Sequence, residues 1–363
     1  MNTEGSEDDP VIVGMVADPD LPARLAHELS TALPDLLARR VRDVDWQVEV
    51  VYDPFEAMYP DDEHLIDKAA QHVRDTDWDL ALCLTDLPMR AADGVVLASL
   101  DERHHVALIS LPALGGWRLR HRLQELAVRI VDALRPREGR APDRELRLPR
   151  PFHRATLDAN DDIARVLLGR VTGMPRLLAG MVRANRPWQL FLGLSSALAG
   201  ALAGTAFGVL YSTIWQLATA LEPVRLAGVV VTAVAALMIW TIAGHGLWER
   251  DDPTGMAKGH DLTLRNAGTI ATVAVGTIVF FAALFLLTCA AVGLIIPPTY
   301  LASVLGRSVG VGDYLTIAAM ASALGTVAGA VGSGLEDDTT VRRATYGYRE
   351  RERRDRVARD RDR

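Results

Sequence analysis

Apolar positions along this chain change their rhythm once, near residue 150. Before that point they come in short runs separated by polar turns, and after it they fuse into long uncharged stretches. Residues 11–17 form a continuous apolar run of the kind found in a fully buried strand. In residues 21–40, Leu25, Leu29, Leu33 and Leu37 recur every fourth position, which predicts a helix with one buried stripe. Residues 46–52 alternate as a strand, 63–76 read as a helix, and 79–84 as a strand. Short strands at 95–100 and 106–111 then lead to a helix over 117–134. The resulting order, β-α-β-α-β-β-β-α, predicts an α/β domain with a mixed sheet over residues 11–135, after a polar and disordered segment at 1–10.

The second half is built differently. Four stretches, at about 189–213, 226–248, 268–296 and 314–335, carry no charge in their interiors. A helix crosses the hydrocarbon core with roughly 20 apolar residues, so the pattern predicts an α-helical bundle of four transmembrane spans over 188–336. Arginines and lysines gather before the first stretch, between the second and third, and after the fourth, whereas the other two loops hold only Arg225 and Arg307. Positive residues mark the cytoplasmic side, so both termini are expected inside, in a multi-pass protein of the plasma membrane.

Within the first stretch Ser196, Gly200, Gly204 and Gly208 fall on one helix face, as Ala321, Gly325, Gly329 and Ser333 do in the fourth. Small residues at this spacing let helix backbones approach closely. The expected outcome is a tight intramolecular bundle, and the alternative is a homodimer built on one of these faces. Hydroxyls such as Thr269, Thr272, Thr277 and Thr288 are expected to bond a carbonyl one turn back. Without an ionisable residue in any span interior, transport is the least favoured role.

Between the halves, residues 136–157 are rich in proline and charge and read as a solvated linker. Residues 158–187 read as an amphipathic helix. Ile163, Val166, Leu167, Val171, Met174, Leu177, Leu178 and Met181 make its apolar side, and Arg165, Arg170, Arg176, Arg183 and Arg186 its basic side. Such a helix is expected in the membrane interface, with its arginines against anionic lipid headgroups. The tail at 337–363 is an arginine-rich charged run.

Charge sharpens the division. Residues 1–150 carry 29 acidic and 18 basic side chains, a balance that argues against nucleic acid as a partner. The two cysteines, Cys83 and Cys289, fall in unlike halves and predict no disulfide, in keeping with a reducing compartment.

Candidate chemistry is sparse. Ligands in open α/β sheets gather at the carboxyl ends of strands, where Thr85 and Asp86 follow the third strand and Ser110 ends the fifth. Asp86 is a candidate metal ligand or base-orienting group, and Ser110 a candidate nucleophile beside His104 or His105. The competing structural reading has Asp86 anchoring a turn and Ser110 fastening a loop. No G-x-G-x-x-G, Walker loop, C-x-x-C or H-E-x-x-H occurs, so no cofactor and no metal is expected. The strand–strand–helix ending after Thr85 and Asp86 resembles a degenerate zincin sheet. In that family the last helix carries metal ligands, and the run from Arg118 to Glu125 does not supply them.

Three segments carry a wider resemblance: Cys83-Leu-Thr-Asp-Leu-Pro88, Ser110-Leu-Pro-Ala-Leu114, and Met181-Val-Arg-Ala-Asn-Arg-Pro-Trp188 running into Gly193-Leu-Ser-Ser-Ala197. With these the chain resembles a group of actinobacterial four-span integral membrane proteins, some of which carry the label methylene-tetrahydrofolate dehydrogenase. Folate dehydrogenases use a Tyr-x-x-x-Lys pair, and no tyrosine here has a lysine four residues on. The resemblance implies location and architecture. The expected function is therefore a membrane-anchored cytoplasmic domain that binds a small ligand or a protein. A membrane-tethered hydrolase or folate-linked enzyme is the alternative.

Overall fold

The computed structural model describes residues 10–40, 44–52, 62–91, 93–135, 152–156, 163–185, 187, 195–248 and 259–333. The described chain up to Ala184 forms one compact unit, and from Asn185 onward a second.

The first unit is a mixed eight-stranded sheet between helices. Its elements are β1 (Val11–Ala17), α1 (Leu21–Ala38), β2 (Trp46–Tyr52), α2 (Asp62–Asp75), β3 (Leu80–Thr85), β4 (Arg90–Ala91), β5 (Gly94–Asp101) and β6 (Val106–Ser110). A 3₁₀ turn (Pro112–Leu114), α3 (Leu119–Leu134), β7 (Phe152–Thr156), β8 (Ile163–Gly169) and α4 (Arg170–Asn185) complete it. The strand order is β2-β1-β3-β6-β5-β8-β7, with β4 paired to β5. Strands β2, β1, β3 and β6 run parallel, and β5, β8 and β7 continue the sheet antiparallel. The connection through α1 carries the chain to one side of β1 and the one through α2 to the other, and parallel crossovers are right-handed as a rule. The two helices therefore cover opposite faces.

Burial follows from this layering. Strands β3, β5 and β6 are buried along their whole length, as strands covered on both faces must be. One core packs Ile66, Ala69 and Ala70 of α2 on Val16, Cys83 and Leu108 of the sheet. Trp78 lies flat over β1, where a Cβ at Gly14 would meet its ring at 1.9 Å. Its indole Nε1 donates to Glu49 Oε2 at 2.7 Å.

Two expectations need correction here. Residues 163–169 are not the start of an interfacial helix: they form β8, paired residue by residue with β5 on one side and β7 on the other. Residues 152–156, expected within a linker, are the edge strand β7. The α/β unit thus runs to Ala184, not to 135. Ile163, Val166 and Leu167 fit the i, i+3, i+4 spacing of a helix. A strand buried on both faces loses the alternation that would reveal it, and its partner β5 lies about 65 residues back, beyond any local pattern.

In the second unit the elements are α5 (Ser195–Leu210), α6 (Ser212–Ala220), α7 (Pro223–Gly244), α8 (Gly259–Ile295), α9 (Pro298–Leu305) and α10 (Val311–Ser333). Helices α7, α8 and α10 are long and apolar enough to cross a membrane. Helix α5 bends by 84° into α6, so the first expected stretch is a broken pair. Its residues 189–194 lie outside the described residues. The small-residue faces of α5 and α10 pack on each other. A Cβ at Gly200 would come within 2.9 Å of Ala328 O, one at Gly208 within 2.7 Å of Ala321 Cβ, and one at Gly329 within 2.9 Å of Ala197 O. These glycines are in close contact with the facing helix inside the chain. The side chains of Ser196 and Ser333 lie outside the described residues.

Hydroxyls in the spans behave as short-range donors. Thr241, Thr272, Thr277 and Thr288 each bond the carbonyl four residues back, at 2.6–2.8 Å. Ser322 of α10 also reaches Thr288 of α8 at 3.0 Å.

Candidate functional site

The order β2-β1-β3-β6 reverses direction between β1 and β3. At such a switch point the connections from neighbouring strands leave toward opposite faces, and a crevice opens beyond the carboxyl ends. The residues at that edge are Asp18 after β1, Thr85 and Asp86 at and after β3, and Ser110 at the end of β6. All four are buried. Register brings them side by side: Asp18 N donates to Leu84 O at 3.1 Å, and Thr85 sits opposite Ser110.

Local bonds hold the edge in shape. Leu87 N donates to Thr85 Oγ1 at 3.1 Å, which closes a tight turn around Asp86. The Ser110 hydroxyl donates to Leu87 O at 2.7 Å, and Leu111 N to Thr85 O at 2.9 Å. Ser110 thus fastens the loop that carries Asp86. On the β1 side, Ala23 N donates to Asp18 O at 2.9 Å as α1 begins. Asp20 sits in that turn with φ 72° and ψ −116°, outside the left-handed helical region and rare for any residue but glycine. The first turn of α1 has no capping side chain: Pro22 lacks an N–H, and the N–H groups of Ala23 and Arg24 bond the carbonyls of Asp18 and Asp20. The side chains of Asp18 and Asp86 are both buried at this edge.

The histidines belong elsewhere. His104 and His105 precede β6, and Ser110 ends it, so about 16 Å of strand separates them from the hydroxyl they were expected to activate. His104 Nδ1 pairs with Asp101 Oδ2 at 2.7 Å, and Asp101 Oδ1 accepts the N–H groups of Arg103 and His104. His105 Nδ1 contacts Leu134 O at 2.7 Å. Both hold the β5–β6 turn, at the opposite end of β6 from Ser110. On α3, His121 and Glu125 are an exposed pair at 3.4 Å. Among the described residues no three His, Cys, Asp or Glu side chains gather closely enough to hold a metal ion.

The arginines expected at the membrane interface divide into two groups. Arg165 is a sheet residue, opposite Ser99 of β5. Arg170 is exposed at the start of α4. Arg176 Nε donates to Leu114 O at 3.1 Å and Arg183 Nη1 to Gly116 O at 2.6 Å, so α4 is clamped to the turn before α3. Arg122 reaches the same Leu114 carbonyl at 2.9 Å. Burial, and then the neighbouring Arg122, push the Arg176 guanidinium below its ordinary pKa. Arg186 lies outside the described residues.

Sequence reasoning placed Asp86 and Ser110 at the sheet edge but passed over Asp18 and Asp20. The signal was present, since Asp18-Pro-Asp20 directly follows an apolar strand and opens a helix, as Asp86 follows β3. The second unit holds an apolar cavity of about 470 Å³, lined by Cys289, Gly293, Pro298, Tyr314 and Leu315 among others, with no carboxylate or imidazole in its wall. The chain matches no protein-family model, no curated protein and no solved structure.

Proposed function

We propose that this protein is a membrane-anchored α/β domain that binds a ligand rich in hydrogen-bond donors, or a cationic group of a protein segment, in the crevice between β1 and β3. The observation that carries the reading is the burial of Asp18 and Asp86 on either side of a topological switch point. Buried carboxylates at the carboxyl ends of neighbouring strands stand where open α/β sheets bind their ligands.

The anchor is a four-span bundle, counting the bent pair α5–α6 as one span, with both termini on the cytoplasmic side and the α/β domain at the inner face of the plasma membrane. Three long apolar helices support the anchoring, and the loop arginines support the orientation. Binding fits the site better than hydrolysis, because Ser110 is engaged with Leu87 O and its strand keeps both histidines at the far end.

The test is thermal unfolding of the full chain in detergent against nucleotides, folates, polyamines and divalent cations. A ligand at 100 times its dissociation constant stabilises the native state by about 2.7 kcal/mol. The expected result is a shift with one class, lost in Asp86→Asn and Asp18→Asn. A shift that survives both substitutions sinks the assignment of this edge.

A further inference from the structure

The turn that α4 clamps has an outward side, and that side is neither acidic nor neutral. Gly115 and Gly116 lead into Trp117 and Arg118, and α3 begins at Leu119. Gly115 has φ 87° and Arg118 φ 53°, so the chain makes two left-handed steps around Trp117. The result is an indole 77% exposed at the tip of a rigid turn. Large aromatic side chains normally gain about 1.5–3 kcal/mol by burial. This one is held out in spite of that, by a backbone that is itself tightly packed. A Cβ at Gly116 would come within 2.9 Å of Ala179 O, and one at Gly180 within 2.0 Å of Pro112 O.

Positive charge surrounds the indole. Arg118 and Arg183 are exposed beside it, the latter bonded to Gly116 O, and Arg122 and Arg176 stand behind at Leu114 O. Two left-handed steps, four arginines and a projecting tryptophan therefore occupy one corner of a domain whose first 150 residues are strongly acidic. Along the chain, Arg183 lies only twelve positions before Ser195, the first residue of the apolar helix α5.

We propose that Trp117, Arg118 and Arg183 form a docking surface for anionic phospholipid headgroups of the bilayer in which the chain is anchored. Tryptophan prefers the headgroup level, where its ring meets acyl carbons and its N–H meets polar groups. Arginine forks onto phosphate, and each basic residue near an anionic leaflet adds to attraction that fades within a Debye length. The inference differs from an amphipathic helix lying in the interface. The basic side of α4 is turned in part onto its own domain, and the lipid contact passes to the turn before α3, which the pattern of apolar residues did not single out.

The test uses the full chain in nanodiscs of phosphatidylcholine alone and of phosphatidylcholine mixed with phosphatidylglycerol, read by hydrogen exchange over peptides spanning residues 112–122 and 170–183. Exchange in both peptides is expected to slow in the anionic discs and to recover in high salt. Arg118→Gly removes one charge and relieves a left-handed residue, so it leaves the turn at least as stable. It is expected to cut the anionic protection by about fivefold, as loss of one headgroup contact would. Trp117→Ser, at an exposed site, is expected to reduce protection in the same peptide while the β1 and β3 peptides stay unchanged. Equal exchange in the two kinds of disc overturns the proposal. So does anionic protection that both substitutions leave intact, or protection reproduced in neutral discs by inorganic phosphate alone. Asp86→Asn leaves this readout untouched, so failure here is distinguishable from failure of the crevice assignment.

Discussion

The two units of this chain differ in how many of their large apolar side chains they leave exposed. In the α/β unit the fully buried side chains are large, among them Met15, Leu29, Leu33, Leu82 and Leu108. In the helical unit many of the large ones are outside: Leu286 is 69% exposed and Leu294 87%. Its tightest contacts are made by glycine and alanine of α5 and α10. Water drives the first arrangement, because burying apolar area is what stabilises a soluble core. In a bilayer the surroundings are as apolar as leucine, so helices gain from close backbone approach and not from hiding leucine.

Four substitutions break or sharpen that contrast. Leu108→Ala, at a fully buried position of β6, is expected to cost about 2–5 kcal/mol, measured as loss of the first unfolding transition. Gly325→Val tests the reverse rule. A Cβ there would meet Thr205 Oγ1 at 2.0 Å and Ala201 O at 2.6 Å, so α5 and α10 are forced apart. Detergent-solubilised protein is expected to lose its compact elution and about 1–3 kcal/mol, the usual cost of overpacking. Gly14→Ala, under the Trp78 ring, is the soluble unit's counterpart and falls in the same range of about 1–3 kcal/mol, read from the melting of the α/β unit. Smallest of all, Leu286→Ala on a lipid-exposed face is expected to change stability by less than about 0.5 kcal/mol. A large loss at Leu286 would show that this face meets protein rather than lipid.

The same contrast explains how legible each unit was. Membrane segments announce themselves by length, because the hydrocarbon thickness imposes a count of residues. The helices α7, α8 and α10 accordingly cover the last three of the four stretches expected from composition. The break at Tyr211 was not legible, since an 84° bend leaves no trace in an apolar run. In the α/β unit β1, α1, β2, α2, β3, β5, β6 and α3 were readable from local period. Strands β7 and β8 were not, because their identity depends on a partner strand far back in the chain. For the site, Asp86 and Ser110 were found by their place after strands. His104 and His105 were close to Ser110 in number yet are set apart by the length of β6.

What the sequence by itself determined was which stretches are long and apolar enough to cross a membrane, because span length is written in local composition. What only the tertiary structure decided was adjacency. Pairing β1 with β3 set Asp18 beside the turn of Asp86, and clamping α4 onto Leu114 and Gly116 turned its arginines onto the domain and left Trp117 in the open. Both depend on contacts between residues far apart in the chain, whose closure is favoured only by the cooperative burial of a whole core.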